Sequence, residues 1–165
     1  MNYFFKPYKF ACTICACLLI PVIESAAQKP ITVPKNAYGL PVIAKKQLYK
    51  QTTVIDSNKL MLNLSKLIPG TAIDLRYADT NNFMHRAMYP AGIKTTYMRL
   101  PAAKALLQVQ QQLSKQGLGL KIFDAYRPYS VTEKFWELVH DERYTADPKK
   151  GSGHNRGVAV DLTII

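Results

Sequence analysis

The sequence predicts an α+β domain, in which a small mixed or antiparallel sheet packs with helices. Two kinds of apolar periodicity occur along its 165 residues: a helical one over residues 101–116, and strand-like ones over residues 118–126 and 158–165. These segments do not form a βαβ repeat, and no glycine-rich phosphate loop joins a strand to a helix, which disfavours a doubly wound fold. A chain of this length suits one domain with its own hydrophobic core.

Residues 1–27 have the pattern of a signal peptide. Lys6 and Lys9 precede an apolar run over residues 10–23, and the small residues 25–27 then offer a cleavage site. The run is short for a membrane span. We therefore expect an exported, periplasmic protein with no stable membrane insertion after cleavage.

The chain's three cysteines, Cys12, Cys15 and Cys17, all lie in this segment. The mature protein would therefore contain neither disulfides nor thiolate metal ligands. A lipid anchor at Cys17 is not expected, because the apolar run continues beyond it.

The net charge of the chain is +11, and removal of residues 1–27 takes away two lysines and one glutamate, which leaves +10. The basic residues are scattered and do not interleave with aromatic residues along one element, so no nucleic-acid partner is predicted. Such a charge would attract the protein to anionic polymers such as cell-wall glycan.

Residues 28–58 contain Pro30, Pro34 and Pro41 and are expected to be an exported linker, while residues 59–165 form the domain, whose compact part starts near Leu60.

The first predicted elements of the domain are two strands and a helix. Residues 73–77 alternate as a strand, and residues 79–82 follow as a turn. Residues 97–100 form a short strand, and Pro101 suits the first turn of the helix over residues 101–116. Gly117 stands where a helix C-terminal glycine is expected.

The remaining elements lead into the C-terminal stretch. Residues 118–126 read as a strand that ends at Arg127, and Ser130 with Glu133 forms a capping-box pattern for the next helix. In the last strand, the apolar residues of 158–165 alternate so that one face should be buried and Asp161 should lie on the other.

His154 and Asp161 are candidate metal ligands. An imidazole and a carboxylate are two of the three protein ligands of a catalytic zinc site, although a buried His–Asp hydrogen bond is also a common structural device. Asp124 and Arg127 lie at a strand end, where chemical groups are often mounted, or they form a local ion pair.

Several motifs in one order resemble the D-alanyl-D-alanine dipeptidases of the vancomycin-resistance (VanX) type, from about residue 70 to the end. They are Ser152-x-His154-x-x-Gly157-x-Ala159-x-Asp161-Leu162-Thr163, Asp124-x-Tyr126-Arg127-Pro128, Asp74-Leu75-Arg76-Tyr77, Asn81-Asn82-Phe83, and the run from Gly117 to Asp124.

The resemblance implies a fold of the zinc-peptidase type that binds one Zn²⁺ per chain and hydrolyses D-Ala-D-Ala to D-alanine in cell-wall metabolism. It makes His154 and Asp161 zinc ligands and Arg127 the group that stabilises the oxyanion of the transition state. Ser152 becomes a contact for the amino end of the substrate, and Asp124 the residue that holds Arg127 in place.

The sequence departs from the family in one motif. Family members have a third histidine ligand and a glutamate base in a Glu-x-x-His motif C-terminal to the aspartate, whereas the one match here, Glu137 to His140, lies upstream. His140 is expected to be a cation at a helix C-terminus, and His85 a surface residue. We therefore expect a family member cut short at its C-terminus, which binds zinc weakly and turns over little.

Two alternatives remain open from the sequence. One is a non-catalytic protein that binds D-Ala-terminated wall peptides, and the other is a D-amino-acid carboxypeptidase that acts on longer wall peptides.

Overall fold

A mixed three-stranded sheet lies at the centre of the domain in the computed structural model, which describes residues 30–165. Its strand order is β2–β4–β5, with β2 parallel and β5 antiparallel to β4. A second sheet pairs β1 with β3 in antiparallel register. The strands are β1 (Met61–Asn63), β2 (Ala72–Ile73), β3 (Tyr97–Arg99), β4 (Leu120–Asp124) and β5 (Asp161–Ile164).

Helix α3 covers one face of the central sheet. Ala103 and Leu106 of this helix pack against Leu120 and Ile122 of β4, all in one buried apolar cluster. The helices are α1 (Lys46–Ile55), α2 (Leu64–Leu67), α3 (Leu100–Ser114) and α4 (Tyr129–Leu138).

A second apolar cluster joins α4 to the loop after β2. Val131 and Phe135 of α4 pack with Met88 and Tyr89, and Tyr77 lies edge-on to Phe135 with the ring centroids 4.8 Å apart. This cluster lies under the end of β4 and supports the residues that follow that strand.

The predicted α+β class is confirmed, and residues 31–165 form one unit. The expected strands at residues 97–100 and 118–126 and the helix that begins at Pro101 are present with small shifts of their ends. Among the described residues, none of the helices combines the length and the apolar character that crossing a membrane requires. The predicted signal peptide lies outside the described residues.

Regular structure begins earlier than the predicted start near Leu60. Helix α1 occupies part of the segment expected to be a linker, and its Thr52 is buried. The hydroxyl of Tyr49 accepts a hydrogen bond of 2.7 Å from the backbone N–H of Met61, which attaches the helix to β1. The prolines that suggested a linker all precede this helix.

The strand predicted over residues 73–77 is shorter than expected. After Ile73 the backbone N–H of Asp74 makes one more bond to the carbonyl of Ile122, and the chain then enters a 3₁₀ turn, Arg76–Ala78. The turn places Tyr77 in the second apolar cluster, a tertiary contact that the alternating pattern did not reveal.

The predicted capping box is wrong. Helix α4 begins at Tyr129, with Pro128 at its N-cap and no side-chain cap hydrogen bond. Since Ser130 already lies within the helix, its hydroxyl is not at the capping position.

The burial predicted for the last strand is also wrong. Leu162 and Ile164 of β5 pair with the buried residues Ile122 and Leu120, yet they are 37% and 55% exposed. The packing of α3 that buries β4 does not extend over β5 at the sheet edge. Val158 is exposed as well and precedes the strand, whereas Val160 packs against the core.

Candidate metal centre

The candidate site forms where β4 ends and β5 begins. Asp124 is the last residue of β4 and pairs with Asp161, the first residue of β5. The register shifts here, because Phe123 is an extra residue between Ile122, which pairs with Leu162, and Asp124. Such a bulge re-aims side chains and is common beside active sites. The bulge allows Asp161 to lie beside Asp124, while the next residue of β5, Leu162, pairs with the buried Ile122.

The loop that carries His154 is tied to the segment after β4. The carbonyl oxygen of His154 accepts hydrogen bonds of 3.1 Å from the backbone N–H groups of Arg127 and Gly157. The backbone N–H of His154 donates to Oγ of Ser152 at 3.1 Å. Hydrogen bonds of both the carbonyl oxygen and the N–H of His154 therefore hold the backbone that carries the imidazole.

This loop folds tightly against the chain that enters β5. A Cβ atom at Gly153 would lie 2.9 Å from the Cβ of Ala159. Both atoms are fixed by the backbone, so a side chain at this position cannot move away. Glycine is therefore required here for close approach of the two segments.

His154 and Asp161 have the geometry of two metal ligands. Nδ1 of His154 is 2.8 Å from the carbonyl oxygen of Ala125, so it carries the proton, and Nε2 faces Oδ1 of Asp161 at 3.5 Å. Two ligands bound tetrahedrally at about 2.0–2.1 Å from zinc are roughly 3.3 Å apart. The pair therefore fits a zinc ion that would bind Nε2 and Oδ1, with Ala125 fixing the tautomer as in many metal sites.

The side chains of His154 and Asp161 stabilise each other's charged forms. Burial alone would lower the pKa of His154, but its contacts with Asp161 and the carbonyl of Ala125 outweigh burial and raise it. The same contact with His154 lowers the pKa of Asp161. Binding of a metal would replace the proton on Nε2.

Asp124 is near enough to be a third ligand but is already occupied. One ligand atom from each of Asp124, His154 and Asp161 lies within 4.8 Å of the others. However, Oδ2 of Asp124 accepts from Nε and Nη2 of Arg127 at 3.0 and 2.7 Å, and Oδ1 accepts from the hydroxyl of Tyr89 at 2.5 Å. Asp124 is 1% exposed. These bonds make it a partner of Arg127 rather than a free metal ligand.

Arg127 is held in place on several sides. Besides its ion pair with Asp124, its guanidinium carbon lies 4.5 Å from the ring centroid of Phe135 and 5.3 Å from that of Tyr77. Burial alone would lower the pKa of Arg127, but the charge and hydrogen bonds of Asp124 raise it, so the group stays cationic. Nη2 is 3.9 Å from Oδ2 of Asp161, which places this fixed positive charge at the metal centre.

Ser152 lies in the same loop, where it is buried. Its Oγ supports the turn by accepting from the N–H of His154, and its own N–H donates to Oδ1 of Asn155 at 3.0 Å. A hydroxyl oxygen has a second lone pair, so a further donor could still bind Ser152.

Sequence reasoning missed two residues that support the site. Tyr89 holds Asp124, and burial together with the Asp124 charge raises its pKa, so the phenol keeps its proton and donates. Nδ2 of Asn155 donates to the carbonyl of Arg127 at 2.9 Å and to Oγ1 of Thr132 at 2.7 Å. The one sequence signal was the position of Asn155 next to His154.

The other two histidines lie outside this centre. His140 follows the end of α4, and its ring packs against Trp136 with the centroids 5.4 Å apart. His85 is exposed in a loop and has a positive φ of 51°. Within residues 30–165, neither these histidines nor Glu137 belongs to the group of candidate ligands.

An α+β domain that brings an imidazole nitrogen and a carboxylate oxygen to zinc-ligand spacing, beside a fixed guanidinium, contains two of the three ligands of a metallopeptidase site and a group suited to stabilise an oxyanion. Comparison with known families agrees with this class. A family model described as D-ala-D-ala dipeptidase, Peptidase_M15, matches residues 56–165. The chain belongs to this family.

Three curated relatives carry the name D-alanyl-D-alanine dipeptidase. The protein of Escherichia coli (strain K12) is 33% identical over 104 residues, which cover 63% of this chain and 53% of the relative. The protein of Enterococcus faecium is 26% identical over 119 residues, covering 61% and 59% of the two chains. That of Enterococcus faecalis (strain ATCC 700802 / V583) is 26% identical over 121 residues, covering 62% and 60%. The matched part thus spans between half and three-fifths of each relative.

Proposed function

We propose that this domain serves zinc-dependent hydrolysis of the dipeptide D-Ala-D-Ala to D-alanine, in an exported, periplasmic protein of cell-wall precursor metabolism. The observation that carries the proposal is the 3.5 Å separation of Nε2 of His154 and Oδ1 of Asp161, with Nδ1 of His154 held by Ala125. Family membership and the names of the three relatives support the choice of substrate.

Each side chain of the site has a role that suits its surroundings. His154 and Asp161 hold the ion, which when bound lowers the pKa of a water ligand and polarises the scissile carbonyl. Arg127 is charged and immobilised before the substrate arrives, as a group must be to stabilise the developing oxyanion without reorganisation. Asp124 keeps Arg127 oriented, and Ser152 receives the amino end of the substrate through its remaining lone pair.

The described residues supply two free ligands, whereas a catalytic zinc normally takes three from the protein. We therefore expect the 165-residue chain to bind one zinc ion more weakly than a three-ligand site. Within residues 30–165 no glutamate belongs to the group of candidate ligands, and without a positioned general base among them the rate should be lower by a factor of about 10² to 10⁴.

Zinc titration against a chromophoric chelator tests the site independently of activity. The wild-type chain should bind one ion, and His154→Ala and Asp161→Ala should each lower the affinity at least about tenfold, as loss of a ligand requires. His85→Ala is the matched control, since His85 is exposed and lies outside the ligand group. Equal zinc affinity of His154→Ala and His85→Ala would contradict the proposal.

A D-alanine release assay on the same samples tests the chemistry. Slow, zinc-dependent release that disappears in His154→Ala is the expected result. Zinc-dependent turnover at ordinary enzyme rates would overturn the expectation of an impaired chain. Dipeptide binding that needs no zinc and leads to no release would favour the alternative of a non-catalytic protein that binds wall peptides.

A further inference from the structure

A cavity of about 280 Å³ opens beside the candidate metal centre, and Asp161 forms part of its wall. The rest of its lining consists of three aromatic side chains, two amides and one cation: Tyr77, Phe83, Phe123, Asn81, Asn82 and Arg76. The volume is just below the range of about 300–1,000 Å³ typical of ligand pockets. The cavity therefore suits a small ligand whose reacting group lies at Asp161.

The charges around this cavity favour an anionic group. Oδ2 of Asp74 is 2.9 Å from Nη2 of Arg76 and 3.3 Å from Nζ of Lys121, so one carboxylate lies between two cations. This cluster of Asp74, Arg76 and Lys121 keeps one positive charge, and each of its side chains is about a third exposed. Arg76 is its member in the cavity wall.

The backbone of Arg76 is fixed in position. Nδ2 of Asn82 donates to the carbonyl oxygen of Arg76 at 3.0 Å and also to the carbonyls of Asp79 and Arg86 at 2.7 and 3.0 Å. The guanidinium lies against the ring of Phe123, with 5.2 Å between its carbon and the ring centroid. A guanidinium has five N–H donors, so its contact with Asp74 leaves donors for a second carboxylate.

The two ends of a peptide substrate can be told apart at this cavity. Apart from Asp161, whose charge the metal would take up, the described cavity wall contains a cation and no anion. A carboxylate would gain a charge-assisted hydrogen bond from Arg76, whereas an ammonium group would face the like charge of this guanidinium. In a dipeptide the carboxylate lies about one residue, roughly 3.8 Å, beyond the scissile bond.

We propose that this cavity binds the free C-terminal carboxylate of the peptide substrate, with Arg76 as the residue that recognises it. The inference rests on the proposed function, since it takes the reacting bond to lie at His154 and Asp161. It makes the domain selective for peptides with an unblocked carboxyl end, while Phe83 and Phe123 contact the side chain of the last residue.

Calorimetric titration of the full chain, with and without zinc, tests this inference. The probes are D-Ala-D-Ala and its C-terminal amide, which lacks the negative charge but keeps nearly the same shape. The wild-type chain should bind the acid about tenfold more tightly than the amide, the size expected for one partly exposed charge-assisted contact. Equal affinity for the two probes, or binding of neither, would overturn the proposal.

Variants then assign the preference to one residue. Arg76→Gln should weaken binding of the acid about tenfold, leave the amide unchanged and leave zinc affinity intact. Arg86→Gln is the matched control, because it removes the same charge from an exposed position in the same loop outside the cavity. Arg76→Lys should keep part of the preference. If Arg86→Gln lowers acid binding as much as Arg76→Gln does, the assignment is wrong.

The two proposals fail in different ways. If His154→Ala and Asp161→Ala bind zinc as tightly as the wild-type chain, the proposed function is contradicted, but the preference for the acid over the amide can still be observed. Loss of that preference with normal zinc binding would contradict only the carboxylate site.

Discussion

Asp124 accepts two hydrogen bonds from the guanidinium of Arg127, 2.7 Å from Nη2 and 3.0 Å from Nε, and the side chains are only 1% and 8% exposed. The two residues are three positions apart, at the end of β4 and the start of the next turn. A buried pair of this kind contributes less to net stability than its geometry suggests, because both charges were desolvated. Its consequence is orientation, since Asp124 fixes the direction in which Arg127 faces Asp161.

Asp124→Ala should destabilise the domain by about 3–5 kcal/mol, because it leaves the charge of Arg127 buried without a partner. Urea unfolding followed by circular dichroism measures the change in the free energy of unfolding. Asp141→Ala removes the partner of Arg143 from an exposed ion pair and is the control, with little change expected. Similar losses in the two variants would show that Asp124 and Arg127 do not act as a buried pair.

Tyr89→Phe should cost about 1.5–3 kcal/mol in the free energy of unfolding. The ring stays in its apolar cluster, but Oδ1 of Asp124, a charged acceptor, loses the hydrogen bond that the hydroxyl of Tyr89 donates. Tyr144→Phe removes a hydroxyl from an exposed ring and should leave stability unchanged. The same urea titration measures both variants. If Tyr89→Phe leaves the free energy of unfolding unchanged, the hydrogen bonds from Arg127 alone are sufficient for the buried carboxylate of Asp124.

Asn155→Ala should both destabilise the domain and weaken zinc binding. The variant leaves the carbonyl of Arg127 and Oγ1 of Thr132 without their donor, at a cost of about 1–3 kcal/mol. Because the His154 loop is then less well held, zinc affinity should fall about 10- to 100-fold, as is typical when support of a metal ligand is lost.

The chelator titration described for His154→Ala measures this zinc affinity. Asn58→Ala, at an exposed position, is its control and should match the wild-type chain. A stability loss without any change in zinc affinity would limit Asn155 to a structural role.

Gly153→Ala should destabilise the domain by about 1–3 kcal/mol, the usual cost of overpacking. Its new Cβ would clash with the Cβ of Ala159 at 2.9 Å. Adding Ala159→Gly should restore part of the loss, because it removes the opposing atom. Gly119→Ala is the control, since its nearest neighbour would be 3.6 Å away in ordinary contact. Thermal unfolding of the two single glycine variants and the double variant measures these changes in stability. If Ala159→Gly does not restore stability in the double variant, the loss does not have a steric cause.

The sequence by itself determined the fold class, the principal helix and the strand before Arg127. Helical spacing over residues 101–116 and the flanking Pro101 and Gly117 depend on local geometry, so they could be read without knowing what the helix packs against. The motifs around His154 and Asp161 suggested a zinc site through their resemblance to the dipeptidase family, since one imidazole and one carboxylate by themselves are also a common structural pair.

Only the tertiary structure decided how the site is held together. Tyr89 lies 35 positions from Asp124, and Asn155 lies 28 positions from Arg127. Nothing local in the sequence marks such pairs, since a hydrogen bond between distant residues depends on how the elements pack. The same reason explains the error on β5: alternation predicts which residues share a face, but whether that face is covered depends on the reach of α3.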